Sequence, residues 1–184
     1  MPLSKPVRRQ HLHTREIVCR GYKRDDGLWD IEAGLTDTKT YAFDNIDRGV
    51  ISAGEPLHGM FIRLTVDDSL TMMDIETVSD LTPFAVCPAA ASAYASLKGL
   101  RMGRGWREAV RERVGGVKGC THLTDLLVGP LLTATIHTVN AAREKLSHAG
   151  TDGKTRPPLL ETCQAFATSS PVVKRRWPAF YTGD

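Results

Sequence analysis

Two runs of alternating residues joined by an Asp-Gly turn constrain the fold of this chain most. In the second run, residues 28–35, one side carries Trp29, Ile31, Ala33 and Leu35, and the other carries Leu28, Asp30, Glu32 and Gly34. A period of two is typical of a half-buried β-strand. Asp26-Gly27 separates this run from residues 14–22, and Asp-Gly between two such runs is a strong hairpin signal. The N-terminal part is therefore predicted to form an antiparallel sheet.

The rest of the chain divides into a second hairpin and then helices. Residues 60–66 and 70–78 flank a polar turn, and residues 41–43 are expected as a short strand. After Pro83 the pattern becomes helical, and the predicted helices are residues 89–97, 106–114 and 121–146. Pro130 is expected to kink or divide the last of these. Strands followed by helices predict an α+β fold, an antiparallel sheet from N-terminal hairpins with C-terminal helices packed on one face.

The domain limits follow from composition. Residues 1–10 are rich in proline and basic residues and are predicted to be a flexible arm. Residues 11–148 are predicted to be a single α+β domain. Residues 149–184 are rich in Pro, Ser, Thr and Lys and are predicted to be an extended C-terminal tail. Its apolar end, residues 177–181, is expected to dock on the domain or on a second subunit, which would give a homo-oligomer.

Composition excludes several classes of function. The 184 residues carry a net charge of only +3, without the basic stripe and exposed aromatics expected of a nucleic-acid binder. Neither a membrane-spanning run nor a signal-peptide core occurs, so no membrane association and a cytoplasmic location are expected. The four cysteines form no CxxC pair. Since neither a GxGxxG nor a P-loop motif is present, no nucleotide cofactor is expected.

Three short segments combine chemically active residues with rigid backbone. They are Gly54–His58, Thr82–Pro88 and Gly119–Leu123. Cys87 and Cys120 each stand at the start of a predicted helix, where the helix dipole and unpaired N–H groups favour a thiolate. A thiolate binds metal or attacks carbon. His58, Cys87, Cys120 and His122 are therefore the candidate metal ligands, for zinc or iron.

Further candidates lie on the N-terminal strands. The predicted catalytic residues are His11, His13, Arg15, Asp37 and Lys39. His11 and His13 are candidate general bases, and Arg15 is a candidate clamp for a substrate carboxylate. Asp30 and Glu32 also share a strand face, a pattern that fits either acid–base work or surface ion pairs with arginine.

Residues 54–142 resemble the NifU/IscU iron–sulfur scaffold family. The resembling pattern is the hairpin of residues 60–78, then Cys87, then an Ala/Ser-rich helix ending at Lys98-Gly99, then Cys120. The likeness implies a similar fold, with His58 opposite the loops that carry the two cysteines. It departs from the family at residues 54–58, where Glu55 and His58 occur without the family's first cysteine.

The chain also resembles a bacterial domain family of unknown function. The shared motifs are HxHTR at His11–Arg15, DGLWDIE at Asp26–Glu32, DxK at Asp37–Lys39, GEPxH at Gly54–His58, and GCTHL at Gly119–Leu123. This likeness covers roughly residues 8–142. Members tend to occur in bacteria that degrade aromatic and other recalcitrant carbon compounds, which implies a substrate class and no mechanism.

Three functions remain open at this point. The first is a small catabolic enzyme, a lyase or hydrolase acting on a small molecule at a Cys/His site, with either a bound metal or a cofactor-free thiolate. The second is a metal or iron–sulfur carrier, which requires an exposed site. The third is a non-catalytic subunit of a larger enzyme.

Overall fold

The computed structural model describes residues 3–146, 153–157 and 159–183. They fall into two compact units, Met1–Val139 and Asn140–Asp184. The strands are β1 (His13–Lys23), β2 (Trp29–Lys39), β3 (Phe43–Asn45), β4 (Gly49–Ile51), β5 (Pro56–Val66) and β6 (Met72–Leu81). The α-helices are α1 (Trp106–Val114), α2 (Thr121–Val128), α3 (Pro130–Leu146) and α4 (Pro171–Arg176), and the 3₁₀ helices are Cys87–Leu97, Gly116–Lys118, Gln164–Phe166 and Pro178–Phe180.

The main sheet is antiparallel with the strand order β1-β2-β5-β6. β1 and β2 pair from Lys23↔Trp29 at the Asp-Gly turn to His13↔Lys39 at the far end. β3 and β4 form a separate two-stranded ribbon between β2 and β5. Strands followed by helices confirm the predicted α+β class.

The two faces of the sheet differ in burial. The inner face carries the alternate residues of β2 and β5 that form the core, and α2 contacts β5 on it. Its fully buried members include Ile31, Leu35, Ile62 and Leu64. The outer face carries the intervening residues, such as Glu32, Phe61 and Arg63, which remain accessible. The alternation predicted for residues 28–35 is confirmed.

The alanine-rich segment forms a 3₁₀ helix and not the regular helix that its composition predicts. It runs from Cys87 to Leu97, and Gly99 follows with a φ of 83°. Its buried residues are Tyr94 and Leu97, three positions apart. A spacing of three is the repeat of a 3₁₀ helix, so both side chains lie on one face of it.

Pro130 divides the long C-terminal helical run, as predicted. α2 ends at Val128, and α3 begins at Pro130 itself. Proline has no N–H and is favourable at the first position of a helix, so a new helix starts where the earlier one cannot continue. The division places Cys120 at the N-cap of a helix of eight residues.

The second unit has its own small core. Leu160, Val173 and Trp177 are buried together, and Phe166 and Tyr181 pack against them. Ser170 Oγ accepts a hydrogen bond from Val173 N at 3.2 Å and caps α4. The sequence predicts an extended tail here, whereas the described residues form short helices. Trp177 takes part in the core of this unit, and the predicted boundary at 148/149 lies outside the described residues.

Two other expectations concern the N-terminus and membranes. Residues 3–12 contain no helix or strand and are exposed, as an arm would be. Within the part of the chain that the structure describes, no helix has both the length and the apolar character needed to cross a bilayer.

Candidate active site

Strand register brings three predicted site residues into one row on the inner face. Arg15 on β1 pairs with Asp37 on β2, and Asp37 pairs with His58 on β5. Side chains at directly opposed positions have Cβ atoms about 5 Å apart. The sequence predicts His58 in a loop before a strand at Met60, but β5 already begins at Pro56. His58 is therefore held by sheet hydrogen bonding, beside an irregularity in the register at Asp37/Thr38.

Asp37 is a buried hub, with 1% of its surface exposed. Its Oδ1 accepts from Arg15 Nε at 2.8 Å and lies 3.0 Å from His13 Nε2. Its Oδ2 accepts from Arg15 Nη2 at 2.8 Å and lies 2.9 Å from His58 Nδ1. A carboxylate offers about four lone-pair positions, and all four are used here. Asp37 is thus suited to orient its partners rather than to react.

The surroundings of Asp37 keep it ionised. Burial by itself raises the pKa of a carboxyl, but the hydrogen bond and charge of Arg15, followed by the bonds from His13 and His58, outweigh it. The pKa of Asp37 falls from 3.8 to about 2. Arg15, predicted as a clamp for substrate, is instead committed to this carboxylate through two of its donors.

His58 is oriented by Asp37, which leaves its second ring nitrogen as an acceptor. Because a carboxylate can only accept, His58 Nδ1 carries the hydrogen that faces Asp37, and the neutral ring then has its lone pair on Nε2. Burial, followed by the charge of His122, lowers the pKa of His58 despite the opposing effect of Asp37. The neutral, proton-accepting form is favoured, as a general base requires.

His122 links His58 to the thiol of Cys120. The rings of His58 and His122 are in contact, with centroids 4.0 Å apart and planes at 41°. His122 Nδ1 lies 3.9 Å from Cys120 Sγ. Burial raises the pKa of the Cys120 thiol, but His122 and the backbone N–H groups at the start of α2 lower it by more, so the net shift is downward. Met60 Sδ lies 3.9 Å from the same sulfur.

Tyr94 fixes the backbone of Cys120, a role that sequence reasoning missed. The hydroxyl of this buried tyrosine donates to Cys120 O at 2.8 Å and accepts from Cys120 N at 3.0 Å. It also lies 2.9 Å from Thr124 Oγ1. A Cβ at Gly119 would stand 2.4 Å from Val114 O and 3.0 Å from the Tyr94 hydroxyl, so only glycine allows this approach. The sequence signal was a lone tyrosine among alanines.

One group of potential metal ligands occurs in the described residues. Donor atoms of Asp37, His58 and His122 all lie within 4.8 Å of one another. Asp37 already has four hydrogen-bonding partners, so the histidines are the more available donors. A carboxylate that holds the far nitrogen of a ligating histidine is a usual support for a metal site. Of the four predicted ligands, the structure brings His58, His122 and Cys120 together in a chain of contacts.

The remaining predicted residues are placed as follows. Cys87 begins its 3₁₀ helix, is partly buried, and is not a member of the Asp37–His58–His122 group. His11 lies outside β1, and its Nε2 is 2.9 Å from His13 O. The Lys39 ammonium stands 4.1 Å from the centroid of the Phe43 ring. The metal role of the cysteines stays a prediction, as do the catalytic roles of His11 and Lys39.

Asp30 and Glu32 occupy the outer face, where they make ion pairs. Asp30 lies 3.3 Å from Arg24 and accepts from Thr65 Oγ1 at 2.7 Å, and Glu32 accepts from Arg63 at 2.9 Å. They lie on the opposite side of β2 from Asp37. Of the two roles that their pattern fits, their contacts are those of surface ion pairs with arginine and not of an acid–base pair.

Comparison with known proteins gives a family and no activity. No curated protein and no solved structure matches the chain. One family model matches residues 13–137, and its description is Protein of unknown function (DUF2889). The expectation of an uncharacterised family is thereby confirmed, while the likeness to the NifU/IscU scaffold stays a prediction.

Proposed function

Given that the chain belongs to the DUF2889 family of proteins of unknown function, we propose from its own site that it is a small lyase or hydrolase. Its substrate would be an aromatic or other recalcitrant carbon compound. The observation that carries the proposal is the buried Asp37–His58 pair. Asp37 holds Nδ1 of His58, which leaves Nε2 as the acceptor, and the His58 ring packs against His122. A histidine oriented by a buried carboxylate is a usual arrangement for a general base.

Of the lyase and hydrolase reactions, the Cys120 thiol favours hydrolysis. Its sulfur would attack a carbonyl carbon and pass the thiol proton to His122 Nδ1 as the C–S bond forms, and the leaving oxygen or nitrogen would take that proton as its bond to carbon breaks. Water, giving a proton to His58 Nε2, would then attack the thioester, and that proton would return to the departing sulfur, which releases the acid and restores the thiol. For a lyase, His58 would instead remove a proton from carbon. The 3.9 Å separation of Cys120 Sγ and His122 Nδ1 supports the first route.

The charge near the site suits a substrate that carries a carboxylate. Lys39 shares the inner face with Asp37 and makes no ion pair with any residue that the structure describes. Asp37 is paired with Arg15, and the charge of Asp125 also acts on Arg15, so Lys39 is the cation left to bind a substrate carboxylate. The rings of Tyr41 and Phe43 lie 5.3 and 4.1 Å from the Lys39 ammonium. A cation beside aromatic rings offers one contact for the carboxylate and one for the ring of an aromatic acid.

The test is turnover of a panel of aromatic esters, thioesters and hydroxy acids that bear a carboxylate, followed by mass spectrometry. We expect wild-type protein to convert at least one member and Cys120→Ala to lose that conversion. Cys163→Ala is the matched control, because Cys163 is exposed and lies in the other unit. Failure to convert any member would contradict the substrate class, and a folded Cys120→Ala protein with full turnover would contradict the thiol route.

A metal-dependent version is the second candidate, and the closeness of His58 and His122 within the group described above favours it. Zinc or iron held by these histidines and Cys120 would polarise a carbonyl oxygen or activate water. Elemental analysis of protein purified without added metal decides between the versions. Near-stoichiometric metal, lost in Cys120→Ala and retained in Cys87→Ala, is expected here, and metal-free wild type of full thermal stability would exclude this candidate.

Burial also favours an enzyme over a carrier. A carrier needs an exposed site for delivery, whereas Asp37 and His58 are 1% and 8% exposed.

The four cysteines are free thiols, and free thiols are maintained in reducing compartments, which supports a cytoplasmic location.

A further inference from the structure

The outer face of the main sheet carries exposed apolar and charged side chains in separate rows. Its four strands are 10 or 11 residues long, and it holds a shallow depression of about 440 Å³. Val18 and Phe61 are each 47% exposed on it, and Val78 is 38% exposed. Four strands of this length span about 19 Å by about 35 Å. That area approaches the roughly 800 Å² per partner of a standard protein interface.

An apolar row crosses the centre of this face. Val18 on β1 pairs with Gly34 on β2, Gly34 with Phe61 on β5, and Phe61 with Val78 on β6. The Phe61 ring leans over Gly34, where a Cβ would stand 3.1 Å from Cε1 of the ring. The aromatic ring therefore lies near the midline of the sheet, between β2 and β5.

A charged row runs beside it with signs that alternate from strand to strand. Arg20 pairs with Glu32, Glu32 with Arg63, and Arg63 with Glu76. Within the chain Arg63 bonds both neighbours, at 2.9 Å to Glu32 and 3.1 Å to Glu76. The order of charges across the sheet is positive, negative, positive, negative. Read from the opposite edge it is negative, positive, negative, positive, so a row that faces its own reverse brings opposite charges together at every position.

We propose that the outer face binds a second copy of this chain, with the two-fold axis parallel to the strands and midway between β2 and β5. That rotation places β1 of one copy over β6 of the other and keeps each row at its own height. Arg20 then faces Glu76 of the second copy, and Glu32 faces Arg63. In the apolar row Val18 faces Val78, and the two Phe61 rings meet beside the axis in reach of offset stacking.

The charge order favours this axis over a perpendicular one through the same row. A two-fold axis perpendicular to the strands and passing through the charged row would place β1 over β1 and bring like charges of that row together, which is unfavourable. The proposed arrangement is an isologous sheet-on-sheet contact, in which the same patch serves both copies. A second copy of this chain carries the matching order of charges by symmetry, whereas a partner of another sequence would need the same order independently.

The experiment is sedimentation velocity of the full chain across a concentration series, using charge reversals at the two outer positions. Wild type is expected to dimerise. Arg20→Glu and Glu76→Arg are each expected to weaken the dimer by about tenfold in Kd or more, because each creates two like-charge contacts per dimer. The Arg20→Glu, Glu76→Arg double variant restores opposite charges between copies and is expected to recover wild-type affinity.

Arg104→Glu is the matched control, since Arg104 is exposed outside the sheet, and thermal melts of every variant establish that it is folded. A protein that stays monomeric throughout the series overturns the proposal. So does a dimer whose affinity is the same in all variants, since it would then form elsewhere, for instance through the C-terminal segment. Weakening by both single variants without recovery in the double variant also overturns it.

Discussion

Asp37→Asn is expected to lower the free energy of unfolding by about 3 kcal/mol, the lower end of the range for breaking a buried charge pair. The variant replaces one carboxylate oxygen with an NH2 group that cannot accept, so donors that bonded that oxygen lose their partner, and the Arg15 guanidinium loses its opposite charge. Arg15 is partly accessible and regains some hydration, which keeps the loss from being larger. Urea denaturation at neutral pH, followed by circular dichroism, measures the change.

The same variant predicts how stability depends on pH. The pKa of Asp37 is 3.8 in its ordinary state and about 2 in the folded protein. A lowered folded pKa means that the stabilisation is fully present above 3.8 and is lost as the pH falls towards about 2. The gap between wild type and Asp37→Asn should therefore narrow across that interval. Asp26→Asn, which removes a carboxylate from an exposed pair with Arg24, is the control, and equal losses in the two variants would refute the hub role of Asp37.

His58→Ala is expected to reduce turnover by about 10²- to 10⁴-fold, the usual contribution of a general base. The effect should appear in kcat more than in KM, because His58 is assigned to proton transfer and not to holding the substrate. His137→Ala is the control, since His137 is exposed on α3. Turnover on whichever panel member the wild type converts is the measurement, and a His58→Ala enzyme within a few-fold of wild type would refute the assignment.

The acid limb of the pH profile gives an independent check. Burial and the charge of His122 lower the pKa of His58 from 6.5, so activity should persist below that pH before His58 is protonated. His122→Asn removes one of the lowering influences. Whatever turnover remains in that variant should therefore lose its activity at a higher pH than wild type, and a shift in the opposite direction would contradict the contact between the rings.

Part of this site follows directly from the sequence, because the β1–β2 turn is short. Once Lys23 pairs with Trp29 across the Asp-Gly turn, counting along both strands places Arg15 opposite Asp37. The four strands of the main sheet, the division at Pro130 and the placement of Cys120 at a helix start also follow from local patterns. In each case the determining residues are close together in the chain. By contrast, β4 was not predicted, and β3 begins at Phe43, where the predicted strand 41–43 ends.

The pairing of Asp37 with His58 does not follow in this way. The chain between β2 and β5 includes the β3–β4 ribbon, so no turn length specifies their register. The contact of His122 with His58 depends on how α2 lies on β5, which is a matter of tertiary packing. Asp37 becomes a hub only in the assembled sheet, because its hydrogen-bonding partners come from both neighbouring strands, β1 and β5.

The Tyr94 hydroxyl has a consequence for how this protein can change over evolutionary time. One phenol oxygen serves the N–H and the C=O of Cys120 and lies beside Thr124. Phenylalanine at this position would preserve the shape of the core and yet leave the backbone of the reactive cysteine without its support. Substitutions that move Tyr94 in the alanine-rich segment therefore restrict which substitutions the cysteine loop tolerates, and the reverse also holds. The two segments are expected to change together.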